Sequence, residues 1–242
     1  MSTGKRISVF LVSTLMVLLA RPAFDLYKEG KKALSEDPTA YELDIAAFEK
    51  ADEKKFPAAG SVVFVGSSSI RLWKTLHEDM APIPVIQRGF GGAKINDVVH
   101  YTHRIVTPYV PRAIVVFAGT NDITPRGAKT PEALLTSYKK LIGRVRSELP
   151  DTPLYYIAIT PSPARWKIWP IAQQANQLIS EFSNGDTSLH VIDTGSALMD
   201  DSGKPDRGNY IFDGLHLSSK GYAIWASLIR PELEQYYPEA SG

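Results

Sequence analysis

Val63-Phe64-Val65-Gly66-Ser67-Ser68-Ser69-Ile70 (VFVGSSSI) sets a run of β-branched and aromatic residues against a glycine and three serines. The apolar part suits a strand covered on both faces. The glycine and serines suit a turn into a helix, where a serine ordinarily caps the first amide groups. The same pattern recurs down the chain. Strands are expected over 61–65, 84–88, 112–118, 153–159 and 188–192, with helices over 68–80, 94–107, 131–149, 170–184 and 218–236. Thr130-Pro131-Glu132 marks one helix start, with Pro131 at the first helical position. Strand–helix alternation predicts an α/β fold on a parallel sheet with right-handed crossovers.

Working outward, the 242 residues are 44% hydrophobic and 22% charged, with a net charge of +1. That balance supports one substantial core and gives no general attraction to nucleic acid. The absence of cysteine excludes thiolate-bound zinc, CxxC redox chemistry and a thiol nucleophile. Lys5 and Arg6 precede an uncharged, mostly apolar run, 7–20. Residues 1–23 are therefore expected to be a signal peptide or N-terminal membrane anchor, which implies a periplasmic or secreted protein. As a helix, 7–20 would rise only about 21 Å. Residues 24–57 are expected to form a helical segment packed on the body. Asp37 is the candidate N-cap, and Tyr41, Ile45 and Phe48 fall at helical spacing. Residues 58–242 form the remaining domain.

In an open parallel sheet, chemistry collects beyond the carboxyl ends of the strands. The residues there are Gly66-Ser67-Ser68-Ser69, Gly89-Phe90-Gly91-Gly92, Gly119-Thr120-Asn121-Asp122 and Thr160-Pro161-Ser162-Pro163. Asp213-Gly214-Leu215-His216 precedes the last helix. A serine hydroxyl needs a neighbouring base to become a nucleophile. His216 is the candidate, with Asp213 three residues earlier able to hold its tautomer. His100 and His103 could share a metal on one helix face, but no third ligand is suggested, and a solvated face is the simpler account. Gly91-Gly92 and the amide of Asn121 supply donors for a developing oxyanion, as does the Ser68 N–H at a helix start.

Taken together, these segments resemble the SGNH/GDSL hydrolase family. Gly66-Ser67-Ser68-Ser69 stands where the family has G-D-S-L, which places the nucleophile on Ser68; a one-residue shift would place it on Ser67 or Ser69. Gln87 to Gly92 stands where the family has N-x-G-x-G-G, which places the oxyanion glycine on Gly92. Gly119 to Asp122 matches G-x-N-D, and Asp213 to His216 matches D-x-x-H. The resemblance implies a flavodoxin-like three-layer α/β/α sandwich with a five-stranded parallel sheet. The nearest branch contains platelet-activating-factor acetylhydrolase-like and carbohydrate-esterase-like members. Ser67 replaces the usual aspartate and Gln87 the usual asparagine, which puts the bracing of both loops in question. The α/β-hydrolase elbow G-x-S-x-G is not met, because Ile70 stands where glycine is required.

The resemblance implies a serine esterase with a Ser68–His216–Asp213 triad and an oxyanion hole of Ser68, Gly92 and Asn121. It implies no metal and no cofactor. The expected substrate is a small-molecule or glycan ester with a short acyl group, such as O-acetyl. A lysophospholipase or thioesterase stays open, as does a catalytically silent glycan-binding module. A flavodoxin-like phosphate or flavin binder would leave Asp213 and His216 without a role. Arg165 and Trp166, in the loop TPSPARWKIWP, and Arg88 and Phe90, beside the glycine loop, are candidate substrate contacts.

Overall fold

The computed structural model describes residues 30–124 and 129–237. The expected leader lies outside the described residues. Five strands form one sheet: β1 (Val62–Gly66), β2 (Val85–Gly89), β3 (Ala113–Phe117), β4 (Leu154–Ile157) and β5 (Leu189–Ile192). All pairings are parallel, in the order β2-β1-β3-β4-β5, which is the doubly wound flavodoxin-like order.

Every residue of β1, β3 and β4 is buried, and the period of two divides them between two cores. Val63, Val65, Ile114, Val116, Leu154 and Tyr156 face one core. There they meet α1 (Glu42–Lys54), α4 (Ile95–Ile105), α5 (Pro131–Arg146) and α6 (Trp169–Ser183). Val62, Phe64, Val115, Tyr155 and Ile157 face the other. There they meet α2 (Ser68–Arg71), α3 (Leu76–Met80) and α7 (Ser219–Glu234). Trp73 and Trp225 are fully buried on this side, edge to face at 5.8 Å.

Local chemistry explains the helix ends. Thr130 accepts a hydrogen bond from Ala133 N, with Pro131 at N1 of α5. Ser218 accepts from Gly221 N at the start of α7. The single helix expected over 68–80 is instead two short ones. The Gln87 amide donates to the carbonyls of Ile70 (2.6 Å) and Trp73 (2.9 Å), in place of a continuing helical ladder.

The N-terminal segment packs on the α4 side. Asp37 accepts from Thr39 N and caps a 3-10 turn, Pro38–Tyr41, that leads into α1. Tyr41 and Ile45 are fully buried, and Phe48 packs beside them. Arg104 makes a bidentate pair with Glu49 (2.7 and 2.6 Å), and Tyr101 donates to Pro38 O at 2.9 Å. Among the described residues, no helix is long and apolar enough to cross a membrane.

Candidate active site

The serine turn is shaped by close backbone packing. Gly66 has φ +144°, and a Cβ there would lie 2.0 Å from Phe117 O. Only glycine tolerates that approach. The chain then turns into α2. Ser67 N donates to Phe117 O at 2.9 Å, but the Ser67 side chain makes no capping bond. Gln87, the substitution that put the glycine loop's bracing in question, instead braces this turn, because its amide ties down the Ile70 and Trp73 carbonyls.

Ser68 opens α2, and its Oγ lies 2.9 Å from His216 Nε2. His216 is 4% exposed, and its Nδ1 lies 2.7 Å from Asp213 Oδ2. A carboxylate can only accept, so the pair puts the imidazole proton on Nδ1 and leaves Nε2 free to accept from the serine hydroxyl. Asp213 is fixed in turn. Its Oδ1 accepts from Leu215 N (2.8 Å) and His216 N (3.0 Å), across a turn that Gly214 makes at φ +63°. Partial burial alone would raise the Asp213 pKa. The bonds from the His216 backbone, the His216 ring and Leu215 N outweigh it and hold the carboxyl below its usual range.

The glycine loop hangs from the same place, because Phe90 N donates to Gly66 O at 2.9 Å. Gly92 has φ +85°. Asn121 is buried beside it. Its Nδ2 donates to Ala93 O (3.1 Å), and its Oδ1 accepts from Arg165 Nη2 (3.0 Å). These two bonds fix the amide's orientation and leave one N–H unspent. Asp122 is fully buried and accepts from Ile95 N (3.1 Å) and Lys129 Nζ (2.7 Å), pinning the start of α4.

Ser68, Asn121, Arg165, Leu215 and His216 line both levels of one crevice. Its more enclosed floor, about 20 Å³, adds Ser67, Ser69, Phe117, Thr120, Thr160 and Ser162. Its mouth, about 110 Å³, adds Gly92, Gly30 and Ala33. Thr120 Oγ1 and Ser162 Oγ are buried at the floor without a hydrogen-bond partner among the described residues.

A model of the GDSL-like lipase/acylhydrolase family matches residues 59–224. The chain belongs to this family. As a GDSL-like acylhydrolase it is a hydrolase of ester bonds. The isoamyl acetate-hydrolyzing esterase 1 homolog of Homo sapiens is 26% identical over 175 residues, 62% of this chain and 68% of that protein. A GDSL-like lipase from Bacteroides thetaiotaomicron shares the fold, with a TM-score of 0.64 at 20% identity over 82% of this chain and 98% of its own. An acetylxylan esterase from Geobacillus stearothermophilus, solved as a catalytic mutant, does so at 0.60 and 13%, over 74% and 96%.

The structure of this acylhydrolase brings Ser68, Gly92, Asn121, His216 and Arg165 to one crevice, with Asp213 behind His216. It does not bring the other expected contacts there. Arg88 is buried against α1, where it pairs with Asp52 at 2.5 Å and donates to Tyr109 Oη at 2.9 Å. Phe90 is fully buried between Tyr41 and Tyr101. Both therefore hold the N-terminal segment rather than a ligand. Trp166 stacks on Trp169 and is not among the crevice residues. Among the described residues, no three His, Asp or Glu side chains converge on a metal position. Instead His103 Nδ1 bonds His100 O. Thr120, Thr160 and Ser162 were legible as strand-end residues, but nothing local marked Gly30 or Ala33.

Proposed function

We propose that this acylhydrolase is a serine esterase for short acyl groups, acting through Ser68, His216 and Asp213. The observation that carries the reading is the chain of two hydrogen bonds, Ser68 Oγ to His216 Nε2 at 2.9 Å and His216 Nδ1 to Asp213 at 2.7 Å. His216 takes the serine proton as Oγ attacks the ester carbonyl, and Asp213 stabilises the imidazolium. The oxyanion is met by the N–H groups of Ser68 and Gly92 and the spare Asn121 N–H, a type of donor worth about 10²–10³ in rate. The carbon–oxygen bond to the alcohol then breaks, and His216 returns the proton to the departing oxygen. Water, deprotonated by His216, attacks the acyl-enzyme and releases the acid with Ser68 restored.

Acyl size follows from the floor. A space of about 20 Å³ is of the order of one water-sized group. The small floor favours an acetyl-sized acyl group over the lysophospholipase alternative. The test is p-nitrophenyl acetate hydrolysis by wild type and Ser68→Ala, with folding checked by circular dichroism. A loss of about a thousandfold or more is expected. Equal rates would remove Ser68 as nucleophile.

A further inference from the structure

The family match begins at residue 59, yet Gly30 and Ala33 line the crevice mouth with Ser68, Gly92 and His216. An element outside the matched domain thus borders the reacting serine. It is held there by buried chemistry. Lys94, two residues beyond Gly92, is 3% exposed, and its Nζ donates to Ser35 O at 2.9 Å and pairs with Glu36. Lys32 pairs with Asp44 on α1, and α1 is clamped by Arg104 and Arg88. A buried ammonium needs those partners, because losing them leaves an uncompensated charge. The latch therefore couples 30–36 to the loop that carries Gly92.

We propose that residues 30–36 are a specificity-determining wall for the alcohol portion of the ester. This rests on the esterase reading above. The floor is the smaller of the two spaces, about 20 Å³ against about 110 Å³, so the small acyl group is assigned to the floor and the bulkier alcohol, such as a sugar ring, to the mouth. On leaving, the alcohol departs past the arm. The small side chains at 30 and 33 keep that space open. A Cβ at Gly30 meets nothing within 4 Å, so a side chain can start there without a clash at its first atom.

The test uses the full chain and three esters: methyl acetate, an acetylated methyl xyloside and methyl butyrate. In Gly30→Trp and Ala33→Phe, the xyloside-to-methyl-acetate ratio of kcat/KM is expected to fall about tenfold or more from its wild-type value. The butyrate-to-acetate ratio is expected to hold. Glu36→Gln, which loosens the latch without touching the mouth, is expected to shift the xyloside ratio and not the butyrate ratio. Unchanged xyloside ratios in both folded wall variants would overturn the proposal. So would a fall in the butyrate ratio alone, which would make the arm an acyl wall. A wild type inactive on all three esters, or matched by Ser68→Ala, would instead overturn the esterase reading and this proposal with it.

Discussion

Asp213 and Asp97 are both drawn out of water, and their protons are pushed in opposite directions. Asp213 accepts two backbone N–H groups and the imidazole, and these outweigh its partial burial. Asp97 accepts one N–H, from Lys94, and lies near a second buried carboxyl, Asp122. Burial dominates there, with Asp122 adding to it, and the Asp97 pKa is pushed up to about 6. Asp122 itself is raised by burial, with Lys129 opposing. The difference shows what decides ionisation inside this fold: the number of donors aimed at the carboxylate, set against depth. The donor-rich site keeps a fixed negative charge behind His216. The donor-poor cluster holds the segment after the glycine loop, through Lys94 N and Ile95 N, at a cost in stability.

Removing the charge at the donor-rich site should have the largest effect. Asp213→Asn keeps the side-chain shape but can offer His216 Nδ1 a donor, which favours the wrong tautomer. A fall in kcat of about 10³–10⁴ on p-nitrophenyl acetate is expected. A loss under about tenfold would mean that the carboxylate does not govern the imidazole.

At the donor-poor cluster, Lys129→Met leaves Asp122 buried without its ammonium partner. A stability loss of about 3–5 kcal/mol is expected at pH 8. The loss should shrink at pH 5, where the orphaned carboxyl can take a proton. Urea unfolding at the two pH values measures it, and a loss independent of pH would count against an ionised Asp122.

Asp97→Asn should act in the opposite sense. The folded Asp97 pKa lies above the ordinary 3.8, so between about pH 4 and 6 the folded state holds a proton that the unfolded state releases. Wild-type stability from this group is therefore greatest below that window and declines as pH rises through it. Asparagine still accepts from Lys94 N and has no such decline. The variant should be more stable at pH 7, by up to about 3 kcal/mol, and lose this advantage near pH 4. If the urea midpoint at pH 7 falls instead, the Asp97 charge stabilises the loop and the comparison with Asp213 fails.

Much of this was legible in sequence because it is written locally. Most strands are apolar along much of their length, with glycine, serine or threonine at or just beyond the end, and the observed strands fall within a residue or two of the expected ones. Gly119 to Asp122 and Asp213 to His216 carry their spacing in contiguous residues. What stayed hidden depends on contacts across the fold. The split of the 68–80 helix follows from Gln87 on the neighbouring strand. Arg88 and Phe90 looked like crevice residues because they flank the glycine loop. Their side chains instead meet Asp52 and Tyr41, residues far away in the chain. Gly30 and Ala33 could not be placed at all without knowing where α1 docks.

One feature of the sheet bears on how the site responds to disturbance. Gly66 is level with Gly89 on one neighbour and with Phe117 on the other, so β2, β1 and β3 all end at a common rung. The Ser68 turn, the glycine loop and the segment leading to Asn121 depart from that rung. They stand on it like the legs of a tripod on one plate. Direct backbone pairing at that rung ties the three departure points to one another. Asp213 and His216 do not stand on that rung: they ride on a loop before α7, tied to the segment after β4 by Ala164 N to Gly214 O and by Tyr210 Oη to Pro161 O. The vulnerable distance in this enzyme is therefore the one between the plate and that loop, from Ser68 to His216.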